Sequence, residues 1–118
     1  MAQGNIDVNM VYLKAVEGPM KGQHFLVKCN RDFSIGRSEK SNICISQDPY
    51  VSRTHAKIFI QEGEVIIEDL NSKNGTRLNG HQLTKKHKLK IGDTVQIGGT
   101  ILKVIKIEDK RIGKEINT

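Results

Sequence analysis

Short runs of alternating apolar and polar residues recur along the whole chain, each closed by a turn signal. This pattern constrains the fold more than any other feature. Residues 10–16 alternate and are rich in Val, Leu and Tyr, and Gly18-Pro19 and Lys21-Gly22 close them. Residues 24–28, 32–35 and the very short 43–45 follow as further strands. In 55–61, Ala56, Ile58 and Ile60 alternate with Lys57 and Phe59 before Glu62-Gly63 turns the chain into 64–68. Residues 76–78 and 81–83 flank Asn79-Gly80, a dipeptide suited to a tight two-residue hairpin turn. Residues 88–91, 94–97 and 100–108, separated by Gly92-Asp93 and Gly98-Gly99, complete the series. No segment carries sustained helical periodicity with caps. Many short strands turned by eleven glycines predict an all-β fold, an antiparallel sandwich whose two sheets bury alternate residues between them.

At 118 residues the chain suggests one domain, able to bury roughly two-thirds of its unfolded surface. Ile and Val supply most of the core. Trp is absent and aromatics are only 4%, so no platform for stacking bases is evident. The net charge of +6 favours an anionic partner without choosing its class. Residues 1–9 lack a basic cluster followed by an apolar run, and stretches such as Val65-Ile66-Ile67 are far too short to span a bilayer. Cys29 and Cys44 do not make a disulfide framework. Cys44, between Ile43 and Ile45, reads as a small buried residue. The expectation is a cytoplasmic protein with free thiols.

Three loop motifs carry the chemistry. Gly36-Arg37 leaves the third strand, Ser52-Arg53-Thr54-His55 precedes the fifth, and Asp69-Leu70-Asn71-Ser72-Lys73-Asn74-Gly75-Thr76 joins the sixth to the seventh. In a sandwich, strands form the scaffold and loops at one end carry function. Clustered there, these loops would converge on an anion. Arg37 offers a planar fork of donors, Ser52 a hydroxyl, Arg53 further charge, and Asn74 an amide able to pair with peptide backbone. A phosphate ester, with roughly −1.5 to −2 charge and three acceptor oxygens, suits such a set.

With Gly36-Arg37, Ser52-x-x-His55, Asp69-Leu70-x-Ser72-x-Asn74-Gly75-Thr76 and Asn79-Gly80 in this order, the chain resembles a forkhead-associated (FHA) domain. The resemblance runs from near Val11 to about Ile107. It implies a β-sandwich of about eleven strands that binds phosphothreonine peptides without catalysis. On that pattern Arg37 and Ser52 contact phosphate and Arg53 stands at a frequent second phosphate contact. Asn74 holds the peptide backbone, and Gly36, His55 and Gly75 brace the loops. Lys73 stands where some members place a threonine that touches phosphate, and is counted with the phosphate-binding residues. The expected layout is an N-terminal extension over 1–9, the FHA domain over 10–108, and a polar tail or linker over 109–118, within what is often a larger multidomain chain. The expected partner is a threonine-phosphorylated protein, a substrate of a Ser/Thr kinase, with no obligatory nucleic acid and no membrane span.

Other readings of these residues are weaker. Ser52 and His55 suggest a nucleophile and base, yet no G-x-S-x-G elbow surrounds Ser52 and no acid is placed to orient the imidazole. His24, His55, His81 and His87 are scattered, so no zinc spacing appears, and no cofactor is expected. The main rival is the basic stretch 85–90, with Lys85, Lys86, Lys88 and Lys90. It reads as a lysine-rich edge strand that discourages aggregation, or as the contact surface of a phospho-independent scaffold or nucleic-acid binder.

Overall fold

The computed structural model describes residues 8–28 and 31–109. Cys29, residues 1–7 of the expected extension and 110–118 of the expected tail lie outside the described residues. The described chain forms eleven strands: β1 Val8–Glu17, β2 His24–Lys28, β3 Phe33–Gly36, β4 Ile43–Cys44, β5 Ala56–Gln61, β6 Glu64–Asp69, β7 Thr76–Leu78, β8 His81–Gln82, β9 Lys86–Lys88, β10 Thr94–Ile97 and β11 Thr100–Asp109. They build a six-stranded sheet in the order β2-β1-β11-β10-β7-β8 and a five-stranded sheet in the order β4-β3-β5-β6-β9. No helix among the described residues is long and apolar enough to cross a membrane.

Period-two alternation places the core. Val11, Leu13 and Ala15 of β1 and Leu102 and Val104 of β11 are buried on the inner face of the larger sheet. They meet Ile35, Ala56, Ile58 and Ile67 from the smaller one. Lys14 and Lys103 alternate outward between those buried neighbours. The Asn79-Gly80 turn is the expected two-residue hairpin, with Leu78 opposite His81 and both turn residues at positive φ, 52° and 84°. Asn79 does more than turn the chain. Its Nδ2 donates to Asp93 at 3.0 Å and its Oδ1 accepts from the Thr94 amide at 2.9 Å, tying the hairpin to the start of β10.

The structure corrects the sequence reading in three places. The sandwich contains a parallel pair, Ile35 beside Ile43 and Gly36 beside Cys44. Here the chain leaves β3, and Ser34 and Asn42 close the intervening loop by exchanging hydrogen bonds of 2.8 and 3.0 Å. The ninth strand lies at Lys86–Lys88 rather than 88–91, paired with β6. Beyond it the Lys90 amide bonds the Asp93 carboxylate at 2.8 Å and the Asp93 amide bonds the Lys90 carbonyl, so 90–93 is a turn. Cys44 is half-buried rather than buried, its thiol facing the Arg37 carbonyl at 3.6 Å.

Ile58 is 1% exposed at the centre of the smaller sheet. We expect Ile58→Ala to cost about 2–5 kcal/mol, measured as a lower urea midpoint with an unchanged slope.

Candidate functional site

The loops after β3, β4 and β6 meet at one end of the sandwich and are stitched by backbone and side-chain hydrogen bonds. The Arg37 amide donates to the Ser52 carbonyl at 3.0 Å, and the Ser38 amide to the Arg53 carbonyl at 3.1 Å. Gly36 allows this contact, because a Cβ there would collide with the Arg53 carbonyl and stand 2.9 Å from the Ser41 hydroxyl. The Arg37 guanidinium is oriented by its Nε, which donates to the Val51 carbonyl at 2.9 Å. Its two Nη groups make no bond among the described residues, and the side chain is exposed.

Ser52 is held on every side but one. Its carbonyl takes the Arg37 amide, its amide donates to His55 Nδ1 at 3.0 Å, and its Oγ accepts the Lys73 amide at 2.9 Å. The hydroxyl proton is left to donate outward. His55 is fully buried. Its Nε2 donates to the Gly75 carbonyl at 2.9 Å while its Nδ1 accepts, so the two contacts fix the neutral tautomer with the proton on Nε2. The ring therefore joins the loop after β4 to the loop after β6, with no free nitrogen for base catalysis.

The loop from Asp69 to Thr76 is wrapped around a carboxylate. Asp69 Oδ1 accepts the Ser72 hydroxyl at 2.6 Å and the Thr76 hydroxyl at 2.7 Å, and Oδ2 accepts the Ser72 amide at 3.1 Å. Burial pushes the Asp69 carboxyl up. The hydrogen bonds from Ser72 and Thr76 outweigh it and hold the carboxyl below its usual range. Gly75 closes the loop at φ 84°, where a Cβ would also meet the Gln82 side chain.

Whereas the basic stretch 85–90 lies on an edge of the smaller sheet, the residues of the three loop motifs singled out in the sequence meet in this one place. Arg53 and Lys73 present exposed side chains beside it, without an ion pair among the described residues. Asn74 donates its Nδ2 to the Tyr50 carbonyl at 2.8 Å, which leaves its Oδ1 as the unspent acceptor. Sequence reasoning missed Asp48 and Tyr50, and read Gly98-Gly99 only as a turn between strands. The buried Asp48 carboxylate accepts the Tyr50 amide at 3.0 Å and the Gly99 amide at 2.7 Å, binding the loop after β4 to the turn between β10 and β11. A cleft of ≈ 310 Å³ opens beside Asn74, lined by Tyr50, Asn74, Gly75, Arg77, Gln96, Gly98 and Gly99.

The chain is similar in sequence and fold to known proteins. A family model described as FHA domain matches residues 33–98. The FHA domain-containing protein FhaB of Mycobacterium tuberculosis is 32% identical over 93 residues, covering 79% of this chain and 59% of FhaB. The chain thus spans about three-fifths of the length of that curated relative. The FHA domain of a Chlamydia trachomatis protein has a TM-score of 0.74 at 29% identity, over 82% of this chain and 97% of that one. A domain solved in a study of phosphothreonine-dependent FHA domain interactions has a TM-score of 0.72 at 27% identity, over 82% and 96% of the two chains.

Two outcomes test the geometry. Gly36→Ala should lower stability by about 1–3 kcal/mol through the forced shift of the Arg53 backbone, read by thermal unfolding. Asp69 has a depressed folded pKa, so its contribution is present above the ordinary carboxylate value of about 3.9 and is lost as pH falls through the folded value. Asp69→Asn should therefore be less stable than wild type at pH 7, and the gap should close below about pH 4 in urea titrations across that range.

Proposed function

Because the chain belongs to the FHA domain family, we propose that it is a non-catalytic reader of phosphothreonine in partner proteins, serving signalling or complex assembly. One observation carries this reading. Arg37 and Ser52 are each pinned by internal hydrogen bonds yet keep their outward donors unspent: the Nη groups in one case, the hydroxyl proton in the other. Donors fixed in this way lose little freedom when an anion arrives.

In this reading Arg37 grips the phosphate with its Nη fork and Ser52 donates a further hydrogen bond. Arg53 and Lys73 supply charge from the flanks. Asn74 Oδ1 accepts a backbone amide of the peptide while its Nδ2 steadies Tyr50. Gly36, His55 and Gly75 hold the loops, and residues 10–108 form the module. A charge-assisted hydrogen bond contributes about 1.5–3 kcal/mol, so two or three separate phosphorylated from unphosphorylated peptide by orders of magnitude. Preference for threonine over serine requires an apolar niche for the γ-methyl, and here it rests on family likeness. The partner would be a substrate of a Ser/Thr kinase in the cytoplasm, and the module part of a larger assembly or chain. The solved neighbour studied for phosphothreonine-dependent interactions supports this direction.

Two of the four lysines of the rival surface are engaged by their own neighbours. Lys88 pairs with Glu64 at 3.0 Å, and Lys86 bonds Gln61 at 3.2 Å and lies over the Phe59 ring. Both sit on β9, an edge of the smaller sheet.

Arg37→Ala should weaken phosphothreonine-peptide binding roughly 100-fold or more with an unchanged melting temperature, while replacing Lys85, Lys86, Lys88 and Lys90 by Gln should leave it intact. Titration calorimetry with matched phosphothreonine, phosphoserine and unphosphorylated peptides reads both. Unchanged affinity in Arg37→Ala would remove the site assignment, and loss in the lysine variant would favour the rival.

A further inference from the structure

The outer face of the larger sheet carries a charge arrangement that its own stability does not explain. Lys14 of β1 stands directly opposite Lys103 of β11 on one side and His24 of β2 on the other. Directly opposed pairs point to the same face, and like charges so placed are destabilising. Neither lysine forms an ion pair among the described residues. One step along, Lys106 lies over the Tyr12 ring at 5.3 Å and forms no ion pair among the described residues, while the one acid placed beside it on this face, Glu108, accepts the Tyr12 hydroxyl at 3.4 Å. Thr94 opposes Lys103, and two residues further along β10 Gln96 opposes Arg77. Arg77 and Gln96 also line the cleft beside Asn74.

The basic row is therefore continuous with the candidate peptide site. Strand spacing and rise put the Arg77 and Lys103 backbones about 12 Å apart, a span that about four residues of extended chain cover. Leu26, 43% exposed, adjoins Tyr12 on this face, and Ile105, 44% exposed, is the extra residue of a bulge in β11. Apolar side chains among the lysines fit side chains of a polypeptide better than a phosphodiester backbone, and the Tyr12 ring on this face is covered by Lys106.

We propose that this face is an auxiliary docking surface for an acidic segment of the same phosphorylated partner, running out of the cleft past Arg77 and over Lys103 and Lys14. The proposal rests on the phosphopeptide reading of the loops and adds a second determinant to it. The opposed lysines trade stability for attraction, so relieving their repulsion should strengthen the fold while weakening the docking.

The test compares three phosphothreonine peptides: one with neutral flanks, one with a run of about five Glu or Asp after the phosphothreonine, and one with that run before it. Binding by fluorescence anisotropy at low salt is measured for wild type, Lys103→Glu and the double variant Lys14→Gln/Lys103→Gln. One acidic-flanked peptide should bind wild type roughly three- to tenfold more tightly than the neutral one. Both variants should lose that advantage and keep neutral-peptide affinity. Lys103→Glu, now facing Lys14 with opposite charge, should also melt a few degrees higher. The proposal is overturned by equal binding of all three peptides to wild type, or by an advantage that survives in both variants. It is also overturned if a DNA duplex or anionic phospholipid vesicles depend on Lys14 and Lys103 more strongly than the acidic peptides do. Failure of the neutral phosphopeptide to bind wild type is a different result, and it removes the phosphopeptide reading itself together with the docking surface.

Discussion

The His55 imidazole is hydrogen-bonded at both nitrogens while fully buried, taking the Ser52 amide on one side and giving to the Gly75 carbonyl on the other. Its own backbone completes the junction: its amide bonds Ile35 of β3, and its carbonyl takes the Leu70 amide at the end of β6. One residue thus ties three segments that are remote in sequence. A buried polar ring left with an unmet nitrogen would cost about 1–3 kcal/mol, so each loop is held where it satisfies the ring. Without that junction, the Arg37, Ser52 and Asn74 loops would be joined only by the hydrogen bonds Arg37 and Ser38 give to Ser52 and Arg53, Lys73 gives to Ser52 and Asn74 gives to Tyr50, none of them through the buried interior.

Around this junction the remaining bonds divide each polar group into a spent part and an available part. Arg37 spends Nε on Val51, Ser52 spends an acceptor lone pair on Lys73, and Asn74 spends its amide nitrogen on Tyr50. What is left over points away from the protein and consists of Nη donors, a hydroxyl proton and a carbonyl oxygen. Two buried or half-buried carboxylates, Asp69 and Asp48, organise the loops from behind by accepting amides and hydroxyls. The acidic groups therefore shape the site from within while the basic ones face out. That polarity suits an anionic ligand in the proposed reading, and it arises from hydrogen bonding, with no ion pair in these site loops among the described residues.

Most of the architecture was legible because β-branched alternation and turn dipeptides are local signals. Residues 55–61 and 64–68 could be read as a hairpin since Ile58, Ile60, Val65 and Ile67 alternate around Glu62-Gly63. The failures are equally local in cause. Lys88-Leu89-Lys90-Ile91 alternates like a strand, yet Asp93 captures the Lys90 amide and bends it into a turn. The motif residues were recognisable from their order, but Tyr50 and Asp48 were not. Asp48 acts through bonds to Gly99 and Thr100 across 51 and 52 residues of sequence, and nothing in Gln47-Asp48-Pro49-Tyr50 announces such a partner. Likewise the opposition of Lys14 and Lys103 depends on register, which bulges between Tyr12 and Leu13 and between Ala15 and Glu17 adjust.

The two outer faces treat their charges differently. On the smaller sheet Lys57 sits 3.0 Å from Asp32 and 3.9 Å from Glu68 and lies over Phe59, and Lys88 meets Glu64. On the larger sheet the lysines oppose one another. Among the described residues, basic side chains without an ion pair thus stand on the site loops, as Arg37, Arg53 and Lys73, and on the sheet face that adjoins them, as Lys14 and Lys103. A basic field of this kind raises encounter rates with anionic partners and fades as salt rises. In the proposed reading, rigid, short-range donors such as those of Arg37 and Ser52 would act mainly on dissociation. Capture and retention would then be separable, one carried by lysines on the sheet face and the other by loops locked around a buried histidine.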